Sequence, residues 1–461
     1  LALKKTISGI RGTIGKQNNG DNLTPPDIVQ FTAAYCTWLK ENNNPHKIVL
    51  GRDARISGPM VSQLVANTCV GMGIDVVDLG LSTTPTVEMA VEWENAGGGI
   101  IITASHNPKE YNALKLLNAA GEFLGHQEAQ RVLDLAEGNL FDFAEVDDLG
   151  QVSTNNTYLN RHIDAIIADD LVDAPKIKAA NFSILVDGVN SSGGVAVPLL
   201  LERLGVNIIH KVNCKPTGIF AHNPEPLPAH LTEVCDELVK NNADLGIVVD
   251  PDVDRLCFIN EDGTLFGEEY TLVAIADYIL QSRPGNTVSN LSSTIALRNV
   301  TQRHGGQYSA AAVGEVNVVK KMKAVNAVIG GEGNGGVIYP PLHYGRDALA
   351  GIALFLTYLA ETGKTMIELR AQYPTLIISK NKMQVDTSWN IPDLIDQLST
   401  LHDDKEQNRE DGLKIYFAGN DWVHLRESNT EPIIRIYSES ESEQQANNLA
   451  EQIKTDFQSL L

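Results

Sequence analysis

The chain reads as three α/β domains of related topology followed by a smaller α+β domain, and three observations predict this. One order of elements recurs: an apolar strand, a polar Gly-rich loop, a helix closing at glycine, then a second strand. It runs from residues 47–50 through Gly51-Arg52-Asp53-Ala54-Arg55-Ile56-Ser57-Gly58 to a strand at 74–79, and again from 184–186 through Asp187-Gly188-Val189-Asn190 to 206–209. A weaker copy leads from Thr287-Val288 to Gly305-Gly306. Each copy is followed by an apolar run that ends in a loop: 100–102 before Ser105, 245–249 before Asp250, and 327–329 before Gly330. After Tyr373-Pro374 the pattern changes to scattered short strands and two helical stretches. A length of 461 residues suits about three domains. The divisions are expected at 1–152, 153–256, 257–372 and 373–461.

The elements follow from local chemistry. Ser8-Gly9-Ile10-Arg11-Gly12 is a turn carrying one arginine. Thr24-Pro25-Pro26-Asp27 opens a helix, with Thr24 as its cap, proline in the first turn and an acid at the third position. Ile28, Phe31, Tyr35, Trp38 and Leu39 then recur at helical spacing, which makes these aromatics core residues. The helix after Gly58 closes at Gly71 or Gly73, and the second copy's helix closes near Gly205. In the last domain the apolar pair Ile377-Ile378 precedes an amphipathic stretch at 394–401, and strands are expected at 413–417, 422–425 and 433–437, with a terminal helix.

Composition narrows the classes of function. A formal charge of −22 argues against nucleic acid and anionic membrane surfaces as partners. The most apolar helical stretch, 349–360, is shorter than the roughly 18 residues a membrane span needs. Five cysteines without a Cys-x-x-Cys pair suit reduced thiols packed as small core residues, and a cytoplasmic location is expected.

Two loops carry the chemistry. In Thr103-Ala104-Ser105-His106-Asn107-Pro108, a serine just past a buried strand is placed to project into a cleft, although the segment also reads as an ordinary turn. In Asp250-Pro251-Asp252-Val253-Asp254-Arg255, three carboxylates alternate after the apolar run Leu245-Gly246-Ile247-Val248-Val249. In extended backbone such spacing turns all three to one face. Carboxylates so crowded repel one another unless a cation lies between them, so Asp250, Asp252 and Asp254 are read as ligands of a hard divalent metal, Mg2+ by choice. Two further loops follow. Gly330-Gly331-Glu332-Gly333-Asn334-Gly335-Gly336 lets backbone approach a ligand and offers Glu332 and Asn334 to paired sugar hydroxyls. Arg426-Glu427-Ser428-Asn429-Thr430-Glu431-Pro432, with Arg435 beyond it, gathers a guanidinium, hydroxyls and an amide as a phosphate cradle would.

Together the four loops resemble, in order and over essentially the whole chain, those of the α-D-phosphohexomutases, the phosphoglucomutase, phosphomannomutase and phosphoglucosamine mutase superfamily. The resemblance implies three α/β/α domains with mixed sheets and a smaller α+β domain around a central cleft. It implies that Ser105 carries the transferred phosphoryl group, a phosphate oxygen on it completing the metal's ligands beside the three aspartates. Arg11, in a segment like the family's Gly-Ile-Arg-Gly, becomes a phosphate contact, as does Arg255 beside the metal ligands. Lys115, in Tyr111-Asn112-Ala113-Leu114-Lys115, takes the family lysine's part as acid and base, for which a burial-lowered pKa is expected. His106 shapes the loop or binds phosphate. The fourth loop, Arg426, Ser428, Asn429, Thr430 and Arg435, would grip the substrate's non-reacting phosphate.

The implied reaction moves a phosphoryl group between O6 and O1 of a hexose phosphate through a 1,6-bisphosphate, which also serves as activator. In the third loop Asn334 stands where many members have Ser and Gly336 where many have His; His343 is the candidate to supply the missing imidazole. This variant looks most like archaeal-type enzymes and favours glucosamine 6-phosphate as substrate, with a broad phosphomannomutase/phosphoglucomutase as alternative. Asp250-x-Asp252 after a strand also resembles the nucleophile motif of haloacid-dehalogenase-type phosphatases, which would make Asp250 the phosphorylated residue.

Overall fold

The structure, a computed structural model, describes residues 4–6, 9–15, 22–386, 389–428 and 433–461. It comprises two compact units: residues 1–271 with 335–367, and 272–334 with 368–461.

The first unit holds two sheets. Strands β1 (Lys4–Thr6), β2 (Gly9–Thr13), β3 (Lys47–Arg52), β4 (Asp75–Leu81), β5 (Gly98–Ile102), β6 (Tyr111–Leu117) and β7 (Val152–Thr154) form a mixed sheet in the order β1-β2-β6-β5-β3-β4-β7. β3 runs parallel to β4 and β5, while β6 is antiparallel to β5 and β2. β5 is buried at every residue, as expected of a central strand with both faces covered. Its register, Leu50 against Ile100 and Arg52 against Ile102, delivers the loops after β3 and β5 side by side.

The helix Pro25–Glu41 begins where the sequence placed it, the Thr24 amide donating to the Asp27 carboxylate at 2.8 Å. Its aromatics are core: Tyr35, fully buried, donates its hydroxyl to the Leu117 carbonyl at 2.6 Å. A Cβ on Gly98 would lie 2.1 Å from that hydroxyl, so the glycine opens the space that Tyr35 fills. Of the five free cysteines, Cys36, Cys69 and Cys257 are buried as expected. Cys214 and Cys235 are only half-buried.

The second sheet follows the order β11-β10-β8-β9, with β8 at Ser183–Asp187, β9 at Ile208–Val212, β10 at Leu245–Val249 and β11 at Leu256–Asn260. β10 is parallel to β8 and antiparallel to β11. The register Val249 against Leu256 makes residues 250–255 the connection of a hairpin. The segment bearing the aspartates therefore leads straight into β11. The returning strand LCFIN is too short and uniformly apolar to be paired from periodicity alone.

The apolar stretch near 349–360 is the helix Ala348–Thr362, buried from its first residue through Leu359. Phe355 stacks on Phe258 of β11 at 3.9 Å between ring centroids and meets Phe266 edge-on at 5.3 Å. No helix among the described residues is long and apolar enough to cross a membrane.

In the second unit β12 (Asn286–Asn290) is parallel to both β13 (Tyr308–Ala311) and β14 (Ala327–Glu332). After a short β15 (Gly336–Ile338), which belongs to the first unit, come β16 (Ile377–Gln384), β17 (Gln407–Asn408), β18 (Leu413–Tyr416), β19 (Trp422–Glu427) and β20 (Ile433–Ser440). These last five form an antiparallel sheet ordered β16-β20-β19-β18-β17. Helices Ile391–Leu401 and Glu443–Gln458 bury their apolar faces on it. β16 has only the apolar pair Ile377-Ile378 as a sequence signal, because it is an edge strand whose Ser379, Lys380, Asn381 and Lys382 hide the rest.

A buried polar tie joins the two sheets of this unit. Lys414 donates to the Leu291 carbonyl at 2.8 Å with its ammonium 3.6 Å over the Trp422 ring, and Glu439 accepts from Trp422 Nε1 at 2.5 Å and from the Ile295 amide at 2.9 Å. His424 lies between Ser292 Oγ at 3.0 Å and the Asp411 carbonyl at 2.7 Å. Burial, Lys414 and Arg426 push its imidazole down from 6.5 to about 3. The unfolded chain therefore binds the extra proton first as pH falls. His424 leaves stability untouched above about pH 6.5 and removes it progressively on the way down to about 3. Between pH 7 and 5 the loss is about 2 kcal/mol. Urea unfolding of His424→Gln is expected to show a pH slope flatter by that amount; an unchanged slope would show that His424 does not titrate as stated.

Candidate active site

Ser105 sits just beyond β5, 6% exposed, with its backbone at φ +48°. A left-handed serine is strained and must be held by its surroundings. Arg55, on the loop after β3 and wholly buried, does the holding. Its Nη2 donates to the carbonyls of Ser105 and Asn107 at 2.6 and 2.7 Å, and its Nη1 to those of Pro108 and Tyr111 at 2.6 and 3.0 Å. Its Nε donates to Asp53 Oδ2 at 3.0 Å, which also accepts from Thr103 Oγ1 at 2.7 Å, while Thr103 Oγ1 accepts the Ser105 amide at 2.9 Å. One guanidinium thus binds the carbonyls of the whole turn, which a lysine could not do.

The Asp250–Arg255 connection is equally constrained, with buried Val253 at φ +64°. Asp250 Oδ1 accepts the amides of Asp254 and Arg255, each at 3.2 Å. Its Oδ2 accepts the Ser105 hydroxyl at 2.7 Å, so the serine and the first aspartate are in direct contact. Thr84 donates its amide to the Asp252 carbonyl at 2.9 Å and its hydroxyl to Asp252 Oδ2 at 2.6 Å.

Oxygens of the three carboxylates lie within 4.8 Å of one another, and all three residues are buried. Burial and then the charges of Asp254 and Asp252 push the Asp250 carboxyl well above its ordinary range. Asp252 Oδ1 and Asp254 Oδ1 are buried and accept no hydrogen bond. Orphaned carboxylate oxygens beside a crowded, oxygen-only donor set are what a hard divalent cation satisfies, so these residues fit the magnesium expected of them.

Cations surround the pair of loops. Lys115 Nζ lies 2.7 Å from Asp252 Oδ2 and 3.3 Å from Asp254 Oδ2. Burial would lower its pKa, but Asp252 and Asp254 outweigh that and raise it above the ordinary lysine value. The expected burial-lowered Lys115 is thereby corrected: the carboxylates that crowd the loop also hold its ammonium charged. Arg346 Nη2 reaches Asp254 Oδ2 at 2.6 Å. Burial notwithstanding, Arg346, Lys115 and Arg255 hold the Asp254 carboxyl well below its usual range. Arg255 meets Glu225 at 3.4 Å with its Nε buried and without a hydrogen-bond partner. Arg11 Nη1 donates to Asn107 Oδ1 at 2.7 Å, and burial with the nearby Arg255 and Arg55 lowers its pKa. His106 Nδ1 lies 3.3 Å from Ser105 Oγ; burial and then Arg255 push the ring well below 6.5, so it is neutral. Positive groups crowded on Ser105 make a ready environment for an anion there.

His343 is not free to supply an imidazole to the sugar loop. Its ring lies 3.3 Å from Glu88 Oε2 and 3.2 Å from Asp347 Oδ2. Burial works against its charge, but Asp347 and Glu88 raise it to about 10. Two carboxylates hold the ring inside the first unit, and nothing in the spacing from Gly336 could reveal them.

In the second unit Glu332 ends β14, 5% exposed, its Oε1 accepting from Asn290 Nδ2 at 2.9 Å and the Gly314 amide at 3.2 Å. Asn334 is half-buried two residues on. Arg426 and Arg435 stand directly opposite each other on β19 and β20. Like charges so paired are unfavourable unless an anion bridges them. Burial chiefly lowers the Arg426 pKa, and its Nε is buried without a hydrogen-bond partner. Ser428 lies at the end of β19, its amide donating to the Ile433 carbonyl at 3.0 Å. Asn429 and Thr430 lie outside the described residues.

Sequence reasoning missed Arg55, Asp53, Thr84 and Arg346, which build the site without standing in its recognisable loops. The Gly-rich segment after β3 was a visible signal for Arg55 and Asp53; Thr84 had none.

Residues 3–142, 160–263 and 267–376 match phosphoglucomutase/phosphomannomutase alpha/beta/alpha domains I, II and III, and residues 390–455 match the C-terminal domain of the same family. A phosphoglucomutase/phosphomannomutase of Thermococcus kodakarensis is 33% identical over 96% of this chain and 96% of its own. A phosphoglucosamine/phosphogalactosamine mutase of Sulfurisphaera tokodaii is 30% identical over 97% of each. Among solved structures, a phosphoglucomutase/phosphomannomutase family protein of Burkholderia thailandensis shares the fold at a TM-score of 0.85, with 24% identity over 100% of this chain and 97% of that one. Three α/β/α domains with mixed sheets, an antiparallel C-terminal sheet and these four domain matches place the chain in the phosphoglucomutase/phosphomannomutase family, the α-D-phosphohexomutases, whose members are phosphoryl-moving isomerases.

Proposed function

We propose that the enzyme interconverts hexose 6- and 1-phosphates through phospho-Ser105 and a 1,6-bisphosphate, with glucosamine 6-phosphate as the favoured substrate. The observation that carries this reading is the Ser105 hydroxyl 2.7 Å from Asp250, on a strained turn, beside three crowded carboxylates. In the first half-reaction the bond from phosphorus to Ser105 Oγ breaks as one forms to a sugar hydroxyl oxygen, whose proton ends on Ser105 Oγ. In the second, the other phosphoryl group of the bisphosphate returns to Ser105 Oγ, whose proton makes good the one that the departing sugar oxygen takes. Lys115, held charged by its carboxylate neighbours, is placed to give that proton.

Asp250, Asp252 and Asp254, with a phosphate oxygen on Ser105, would hold Mg2+, which when bound offsets negative charge on the transferring group. Arg11, Arg255 and His106 bind the phosphoryl group on Ser105. Glu332 and Asn334 take sugar hydroxyls, and Arg426, Ser428, Asn429, Thr430 and Arg435 take the non-reacting phosphate. The aspartyl-phosphatase reading would leave Ser105 idle and has no support in the family assignment.

A second reading, broad phosphomannomutase/phosphoglucomutase activity, is favoured by the name of the Thermococcus relative. Turnover on glucosamine, glucose, mannose and N-acetylglucosamine phosphates, with Mg2+ and a trace of hexose 1,6-bisphosphate, separates the two. A clear preference for glucosamine phosphate is expected; comparable rates on glucose and mannose phosphates would establish the broad enzyme, and no turnover on any would overturn both.

A further inference from the structure

Two histidines and two acids, far apart in the sequence, form a second buried cluster in the first unit. His162, on the helix Tyr158–Ile167, turns Nε2 to Asp347 Oδ2 at 2.8 Å, and His343 turns its own Nε2 to the same oxygen at 3.2 Å. The donor atoms of His162, His343 and Asp347 lie within 4.8 Å of one another, and the side chains are 0%, 8% and 1% exposed. The imidazole planes are at 87° with centroids 6.3 Å apart, so the rings approach a common point from different directions.

The outward-facing atoms are already engaged. His162 Nδ1 lies 3.0 Å from Thr86 Oγ1, which is itself 2.7 Å from Thr83 Oγ1. His343 Nδ1 lies 3.3 Å from Glu88 Oε2. Asp347 Oδ1 caps the helix Ala348–Thr362, accepting the amides of Leu349 and Ala350 at 2.9 and 3.1 Å, which leaves Oδ2 turned inward. Two imidazole nitrogens converge on one carboxylate oxygen, the His162 ring oriented through Thr86 and the His343 ring lying beside Glu88, an arrangement in which a metal would take the place of the protons shared with Asp347.

We propose that His162, His343 and Asp347 bind a divalent transition metal of the zinc class, distinct from the cation held by the aspartate loop. The imidazole pair selects zinc over magnesium, which takes oxygen donors. The ion would be structural. It would join the helix Tyr158–Ile167 to the segment 343–347, whose Arg346 holds Asp254, while the helix Thr84–Trp93, whose Thr84 holds Asp252, meets the two rings through Thr86 and Glu88.

The test is the metal content of the full chain, expressed with zinc supplied and purified in excess Mg2+, measured by mass spectrometry and by anomalous diffraction at the zinc edge. About one zinc per chain is expected, with the anomalous peak at this cluster. His162→Gln is expected to lower the content to less than about a tenth per chain. Should that variant not fold, Co2+ added to metal-stripped wild type provides the second measurement, with the visible bands of tetrahedral cobalt expected. The proposal is overturned by wild type that carries less than about a tenth of an equivalent after refolding with zinc, by cobalt bands that do not appear, by a peak only at the aspartate loop, or by zinc retained in His162→Gln.

Discussion

Ser105→Ala is expected to lower mutase turnover by about 10⁴-fold or more while leaving the fold intact, because in the proposed cycle it removes the oxygen that gives up the phosphoryl group in one half-reaction and takes it back in the other. The same variant separates two chemistries that geometry brings within 2.7 Å, since Ser105 Oγ and Asp250 Oδ2 are both oxygen nucleophiles beside one cation site. Labelled hexose 1,6-bisphosphate should leave an acid-stable phosphoryl group on wild type and none on Ser105→Ala. A hydroxylamine-labile label, or turnover in Ser105→Ala within tenfold of wild type, would assign the phosphoryl group to Asp250 and overturn the phosphoserine cycle.

The second large effect is expected at a residue that touches no substrate. Arg55→Met strands the Asp53 carboxylate and the carbonyls of Ser105, Asn107, Pro108 and Tyr111 in a buried setting. Breaking such a buried pair costs about 3 to 5 kcal/mol of stability. Arg55→Lys is the more telling variant: it keeps the charge opposite Asp53 but cannot reach four carbonyls. Its kcat is expected to fall about 10- to 100-fold through a displaced Ser105, with KM nearly unchanged. The rate of Ser105 phosphorylation by bisphosphate should fall in proportion. A kcat within twofold of wild type in Arg55→Lys would show that the turn holds its shape without the guanidinium fork.

Three kinds of feature were legible before any coordinate. Strands β5 and β10 were visible because strands buried on both faces are written as short unbroken apolar runs. The aspartate loop was legible because alternating carboxylates have few uses besides a cation. The four loops in family order made the reaction class readable. What stayed hidden is of another kind. β6, which carries Lys115, gave no strand signal, because Tyr111-Asn112-Ala113-Leu114-Lys115 mixes polar and apolar residues without a clean period.

The sequence by itself determined the reaction class and the crowding of three carboxylates in one loop, since each is encoded in contiguous residues whose chemistry is local. Only the tertiary structure decided that Lys115 is held charged by Asp252 and Asp254, that Arg55 secures the left-handed Ser105, and that His343 joins His162, Asp347 and Glu88. The physical reason is common to all three. A buried charge takes its state and role largely from partners distant in the chain, Ser105 lying 50 positions from Arg55 and Glu88 about 255 from His343, and Coulomb energy in a desolvated interior depends on distance in space, which one-dimensional spacing does not record.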